Sequence, residues 1–365
     1  MAEVEPYLVK IFKDRASWLD GRKNSIGGSE APALFGSYGY QSQLALQMSK
    51  LGQLPEDEDP SRALRFDAAL ALEATSSRDA ERLLGAAVVA PVAEGQAIYY
   101  SREVEHAHAT PDRFVLREKP QRIHPRTLPK RASCVLSLKN WNSHDKKAWE
   151  GVPPLYALIQ LQHELMVLGL EVGRIHVLFG AGDSSLVTPE FEAHPGIQEQ
   201  LRNRIPEWWQ KHIVLREPCP PTEEDASLLK LLYPTAKPGS FVILAGEDWQ
   251  RKYSRLVRLK RFEKFVESKT TELEVEIKDA MKENEFAVFE EGAISWKSFD
   301  RNEAPRPART VSVRSFRTDV KIPKGVQHAL ASGIGTELSR LDSGADPLAL
   351  TPGREAAEDV VSTTD

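Results

Sequence analysis

Two cysteines among 365 residues, Cys134 and Cys219, are too few for a disulfide framework or a cysteine-rich zinc site. No apolar run approaches the ~20 residues needed to span a bilayer. Residues 1–15 carry acids early and no apolar stretch leading to a small-residue cleavage site, so no secretory signal is expected there. Base is not in excess. The formal net charge is −5, and residues 326–365 account for all of it, with seven acids against two bases. The overall acidity therefore says little about the rest of the chain, where local patches have to be read instead. No internal repeat is present. The expectation is a soluble, cytoplasmic protein in a reducing compartment.

What is present is enough apolar residue, 41%, for one large core or two smaller ones. Residues 7–52 read as mainly helical, broken by a loop at Gly27 and Gly28, with Ser29 placed to cap the helix that follows. Residues 55–60 read as an acidic loop and 62–84 as a helix. Strand signals follow at 87–92, 97–100, 113–116 and 134–138. Residues 156–169 form a strong helix, with Leu158, Leu161, Leu165 and Leu168 at roughly helical spacing. Strands resume at 175–179 and 186–191. A long helix spans about 248–282, and 289–296 and 310–316 read as late strands. That order is α/β or α+β. Residues 326–365, rich in Ala, Gly, Ser, Thr and acids and without an aromatic residue, read as a flexible tail.

Three segments are basic: 113–131 with seven bases against Glu118, 251–264 with seven against Glu263, and 301–324 with seven against Glu303 and Asp319. Any one of them alone reads as a solvated face. Three on a chain without surplus base suggest a groove for a polyanion.

Chemistry concentrates in two short stretches. In His108-Ala-Thr110-Pro111-Asp112, a carboxylate sits at a strand edge after a proline that forces an extended approach. In Cys134-Val-Leu-Ser137-Leu138-Lys139, a lysine ends an apolar strand. A carboxylate and a lysine on neighbouring strands suit metal-dependent phosphodiester cleavage. Acids hold Mg²⁺ against the scissile phosphate, and the lysine orients or deprotonates the attacking water and offsets charge on phosphorus. Such a pair by itself is more often solvated surface.

The surrounding motifs add to it. Trp18, Arg22 and the run Ile26-Gly27-Gly28-Ser29-Glu30 come first, then Phe66 to Glu73, and after the lysine Trp149, Tyr156, Gln160 and Gln162. This succession over residues 18–180 resembles the YqaJ-type viral recombinases, phage-type alkaline exonucleases related to lambda exonuclease within the PD-(D/E)xK nucleases. Residues 208–317, including Ile294-Ser-Trp296-Lys297, are similar to the C-terminal half of the bacterial and phage members. The resemblance implies an α/β fold with a restriction-endonuclease-like core over residues 1–215, its central mixed sheet flanked by helices. A C-terminal extension over 216–325, with the long helix and late strands, would precede the acidic tail. The implied activity is a DNA exonuclease that needs Mg²⁺, for which Mn²⁺ substitutes. It would resect double-stranded ends 5′→3′ for a single-strand annealing protein, as a phage or prophage product in a bacterial cytoplasm. A ring-shaped homotrimer is a further implication. Residue by residue, the resemblance makes Glu73 the helix carboxylate near the metal, Asp112 the direct ligand and the Leu138 carbonyl a further oxygen. Lys139 becomes the catalytic lysine, and Gln160 the helix glutamine that faces the centre, with Tyr156 one turn earlier. Arg22 and Ser29 take the places of residues that grip a terminal 5′-phosphate, and Thr110 adds a hydroxyl.

One position departs from the family pattern. Two residues before the lysine, where an acid or sometimes a glutamine is usual, stands Ser137, which brings no charge. Either Glu164, one turn after Gln160, supplies the missing carboxylate, or the chain is a catalytically weak nuclease-fold protein that binds DNA ends or regulates a partner. An endonuclease or nickase is a third reading. Glu73 also reads as an ordinary helix acid, and Gln160 and Gln162 as polar spots on an amphipathic helix. Trp208 and Trp209 are expected to pack under the core rather than on bases. The interval from Asp112 to Lys139, with Pro120, Pro125 and Pro129, reads as an extended hairpin or loop beside the site.

Overall fold

The structure, a computed structural model, describes residues 4–298 except 38, 40, 55–59, 120, 150, 151, 181 and 183. The expected acidic loop, the strand at 310–316, the basic segment 301–324 and the tail lie outside the described residues. The chain divides into two compact units, Met1–Leu232 and Tyr233–Asp365.

The first unit opens with β1 (Tyr7–Phe12), α1 (Arg15–Arg22), α2 (Gln43–Lys50) and α3 (Pro60–Leu84). Strands β2 (Ala87–Val89), β3 (Gln96–Ser101), β4 (His108–Ala109) and β5 (Arg113–Leu116) follow, then α4 (Leu128–Arg131) and β6 (Cys134–Trp141). After them come α5 (Leu155–Leu168), β7 (Val172–Phe179), β8 (Ser184–Val187), β9 (Phe191–Glu192), α6 (Pro195–Trp209) and α7 (Ala226–Leu232). The main sheet runs β2-β5-β6-β7-β8, with β9 also paired to β7. Strands β6 and β7 are parallel, and the other pairs are antiparallel. A parallel pair needs a crossover, and α5 is that crossover. Side chains of β6 alternate between two layers. Cys134 and Leu136 pack with Ala80 of α3, while Val135 joins the core that holds Leu161 and Leu165 of α5. The result is a mixed central sheet flanked by helices, the fold class that the sequence implied.

Three local expectations change. Residues 7–12 are a strand rather than helix, paired antiparallel with β3 from Tyr7↔Ser101 to Phe12↔Gln96. Tyr, Val and Ile suit a pleated surface, and the Tyr7 ring meets Tyr99 edge-on at 5.1 Å. The segment 186–191 splits into β8 and β9 around Pro189, which has no N–H for the ladder. The basic interval after β5 is pinned rather than extended. Tyr7 and Tyr99 donate their hydroxyls to the carbonyls of Arg126 and Pro125, each at 2.9 Å, and Leu128 is buried.

The first unit reaches past residue 215 because α2 holds the chain beyond it. The Gln47 amide donates to the carbonyls of His212 and Glu217 at 2.8 Å and accepts from the Cys219 N–H at 2.8 Å. Trp208 and Trp209 sit in the main core, as expected. The second unit contains α8 (Glu247–Met281) and, in place of one late strand at 289–296, a hairpin of β10 (Phe286–Phe289) and β11 (Gly292–Ser295). Among the described residues no helix is long and apolar enough to cross a membrane.

Candidate active site

Helix α5 decides where the chemistry can sit. Pro153 and Pro154 precede it, and Gly169, left-handed at φ 65°, ends it with its N–H on the Leu165 carbonyl. Eleven of its 14 residues are buried, so each polar side chain on it needs a partner or a use. Gln162 has structural partners, the Glu192 carbonyl at 2.8 Å and the His194 N–H at 2.7 Å. His163 meets the His108 carbonyl at 2.9 Å. Gln160 and Glu164 turn the other way. Gln160 accepts from Lys139 Nζ at 2.8 Å and donates to Glu164 Oε1 at 2.9 Å. Glu164 Oε2 is buried and makes no hydrogen bond. Tyr156, one turn before Gln160, stacks on Trp141 with ring centroids 6.1 Å apart.

The register of β5 on β6 brings the second group in. Arg113 lies opposite Leu136, so Asp112, just before β5 rather than within it, reaches the next residues of β6. Its Oδ2 accepts the Leu138 N–H at 2.8 Å and the Ser137 hydroxyl at 3.4 Å. Ser137 thus faces the position that an acid would fill, and only a hydroxyl meets Asp112 there. From α3, Glu73 receives Arg113 Nη2 at 3.2 Å. The same guanidinium donates to the Asp112 carbonyl at 2.6 Å and to Ser77 Oγ at 2.7 Å. Arg113 therefore locks Glu73 to the Asp112 backbone. It was legible in the sequence only as one base of a patch, although it directly follows Asp112.

Burial, and after it the negative charge of Asp112, raises the pKa of Glu73 above the usual carboxylate value. The same two causes push Glu164 up to about 8. Among the described residues no three His, Cys, Asp or Glu side chains already form a metal cage. The donor set nevertheless suits a hard cation. Asp112 disfavours the charge of both other carboxylates, and Glu164 keeps an oxygen without a partner. A divalent cation relieves both costs.

Arg22 comes from the end of α1. Its guanidinium lies 4.8 Å over the Trp18 ring, 3.4 Å from Ser29 Oγ and 4.0 Å from Glu30. Glu30 is occupied on two sides, by the Gly27 N–H at 2.7 Å and by the buried Lys50 ammonium at 2.8 Å. The expected Ser29 cap is not formed. The following helix is a short 3₁₀ turn, Ala31–Phe35, with Glu30 at its N-cap and no side-chain cap bond. Ser29 instead accepts from Arg22. Gly28 lets this loop reach α5: a Cβ there would lie 3.1 Å from Glu164 Oε1 and 3.2 Å from Gln160 Cγ.

One cleft of about 580 Å³ is lined by all nine anticipated residues: Arg22, Ser29, Glu73, Thr110, Asp112, Leu138, Lys139, Gln160 and Glu164. Trp18, Arg113, Lys13 and Arg15 line it too. Set against known proteins, residues 17–171 match the family model of the YqaJ-like viral recombinase domain. This segment is similar to the YqaJ-like domain. It runs from α1 to the end of α5 and contains every anticipated residue of the cleft. The chain is 25% identical over 288 residues to the uncharacterized protein YqaJ of Bacillus subtilis, across 78% of this chain and 83% of that protein. Among solved structures, the alkaline exonuclease LHK-Exo from Laribacter hongkongensis aligns with a TM-score of 0.40 and 12% identity, over 53% of this chain and 90% of that one. SSO0001 aligns with a TM-score of 0.28 and 14% identity, over 62% and 97%.

Proposed function

We propose that this chain is a divalent-metal-dependent DNA exonuclease that acts on double-stranded ends in phage-type recombination. The observation that carries the reading is the convergence of three carboxylates, a lysine and an arginine–serine pair on one cleft of the YqaJ-like domain. Asp112, Glu73 and Glu164, with the Leu138 carbonyl, are the groups that would hold Mg²⁺ or Mn²⁺. When bound, the ion supplies charge neutralisation at the phosphate and a more acidic water. Lys139, positioned by Gln160 at 2.8 Å, orients the attacking water and offsets charge on phosphorus. Arg22 presents a charged fork to a terminal phosphate, Ser29 adds its hydroxyl and Thr110 another. Resection 5′→3′, a single-strand annealing partner, a homotrimeric ring and a bacterial cytoplasm as the place of action extend this reading from the family resemblance.

End-labelled linear duplex and closed circular DNA, each with and without Mg²⁺, test it. Linear DNA should be degraded only with metal, and circles should survive. Cut circles would mean an endonuclease. Ends bound but not degraded would mean a DNA-end-binding protein, the reading that uncharged Ser137 favours.

Ends bearing a 5′-phosphate should be degraded about tenfold or more faster than 5′-hydroxyl ends, the value of a charge-assisted hydrogen bond. Arg22→Ala should erase that difference. Equal initial rates for the wild type on both ends would remove the phosphate pocket. DNA affinity should also fall as salt rises, because bound Lys and Arg displace counterions from phosphates. A binding constant unchanged between low and physiological ionic strength would contradict the basic-groove reading.

A further inference from the structure

Behind the Arg22–Ser29 pair lies a second cation. Lys50 ends α2, and its side chain is only 3% exposed. A lysine at a helix C-terminus is commonly held by the dipole alone, with its ammonium in water. Here the ammonium turns inward. It donates to both oxygens of Glu30, at 2.8 and 2.9 Å, and to the backbone carbonyl of Arg22 at 2.9 Å. Arg22 and Ser29 line the cleft, but neither Lys50 nor Glu30 does. Lys50 can therefore act on a substrate only through other groups.

The charges of this cluster do not cancel. Arg22 and Lys50 are two cations against one anion, Glu30, which leaves one positive charge beside the loop of residues 27–29. Buried His108 registers the excess from behind that loop, where a Cβ on Gly27 would come 2.9 Å from its Nε2 and 3.1 Å from Arg22 Nη2. Burial first, then the charges of Arg22 and Lys50, with His163 adding to them, hold the His108 pKa well below the usual histidine value. Geometry decides which cation holds the anion. Lys50 is within hydrogen-bond distance of Glu30, whereas Arg22 Nη2 stays 4.0 Å from Glu30 Oε1, too far for a hydrogen bond.

We propose that Lys50 is a positioning residue for recognition of a terminal phosphate: by holding Glu30, it keeps that carboxylate from closing on Arg22. The inference rests on the phosphate-pocket reading above and adds the group that keeps the pocket charged. Without the ammonium, Glu30 is a largely buried carboxylate with the Arg22 fork beside it, and the two would form a charge-assisted pair. The pocket would then be both neutral and occupied. The charge count gives a signature. The cluster carries one positive charge in the wild type, none in Lys50→Met, and one again when Glu30→Gln is added to Lys50→Met.

Binding of short duplexes with 5′-phosphate or 5′-hydroxyl ends tests it in the full-length chain. Fluorescence anisotropy with a chelator present keeps metal and cleavage out of the measurement. The wild type should bind the phosphorylated end about tenfold or more tighter, on the scale of a charge-assisted hydrogen bond. Lys50→Met, which keeps the apolar stem, should bring the two ends to within about twofold of each other. The double variant should regain most of the preference. A lysine that merely supported the fold would lower the melting temperature without moving this ratio, and removing Glu30 as well would not repair it. Lys50→Met strands a buried carboxylate; if it does not fold, the double variant, which strands none, carries the test. The proposal is overturned if Lys50→Met keeps the preference or if the double variant lacks it. Glu30→Gln alone, with both cations kept, should bind phosphorylated ends at least as tightly as the wild type, and weaker binding also overturns the proposal. Equal binding of both ends by the wild type removes the phosphate pocket and this inference with it, whereas a preference that persists in Lys50→Met removes the inference alone.

Discussion

Replacing Asp112 with alanine is expected to lower metal-dependent release of nucleotides from linear duplex by at least about a hundredfold. Groups that only support a metal ligand already cost 10–100-fold when lost, and Asp112 would be a direct one. The side chain also has a structural part, because its Oδ2 holds the Leu138 N–H at 2.8 Å and so helps join β5 to β6. Asp112→Asn separates the two roles. Asparagine keeps the shape and an acceptor for Leu138 but carries no charge. If charge is what counts, both variants should lose activity alike, while only alanine should lower the melting temperature. The rates come from acid-soluble product, and DNA binding measured in parallel should be largely kept. Wild-type cleavage by Asp112→Asn would place the metal elsewhere.

The second large effect is expected at Glu164, and it should show with opposite signs in two measurements. Glutamine at this position should cut the cleavage rate about as deeply as Asp112→Ala, because one of the three carboxylates of the cleft is lost. The same change should stabilise the metal-free protein at alkaline pH. The sign follows from the raised pKa. In the folded chain Glu164 is pushed from 4.5 up to about 8 by burial and by Asp112. The folded state therefore holds its proton where the unfolded state has released it. The stability this contributes is complete below about pH 4.5 and is lost as pH rises through about 8, a difference on the order of a few kcal/mol. Glutamine does not titrate and keeps its stability. Thermal unfolding with a chelator at pH 6 and pH 9 should show the wild type falling clearly more than Glu164→Gln. An undiminished rate in Glu164→Gln would return the question to Ser137. In that case Ser137→Glu should raise cleavage strongly, whereas it should give no gain if Glu164 already supplies the charge.

Much of the scaffold was legible because its signals are local. The helices at 62–84, 156–169 and 248–282 announce themselves by apolar spacing and by prolines and glycines near their ends. They appear as α3, α5 and α8 within a residue or two of those bounds. The strand at 113–116 appears with the bounds that its apolar run suggested. Residues 7–12 were misread because their partner, β3, lies some ninety residues further on, and no short window contains both halves of the ladder.

The sequence by itself determined which chemical groups are available: Glu73, Asp112, Lys139, Gln160 and Glu164, the Arg22–Ser29 spacing, and the absence of an acid at residue 137. It also determined the basic run at 251–264, since that depends only on order along the chain. The tertiary structure alone decided how those groups relate. The β5–β6 register set Asp112 on the Leu138 N–H, and Arg113 tied it to Glu73. The burial of α5 gave Glu164 its neutral tendency and left one oxygen without a partner. Ser29, read as a cap, became an acceptor for Arg22 once the helix after it shortened to a 3₁₀ turn. Each of these outcomes depends on distances between segments far apart in the chain and on the low dielectric that their packing creates, and neither is encoded in any single stretch of residues.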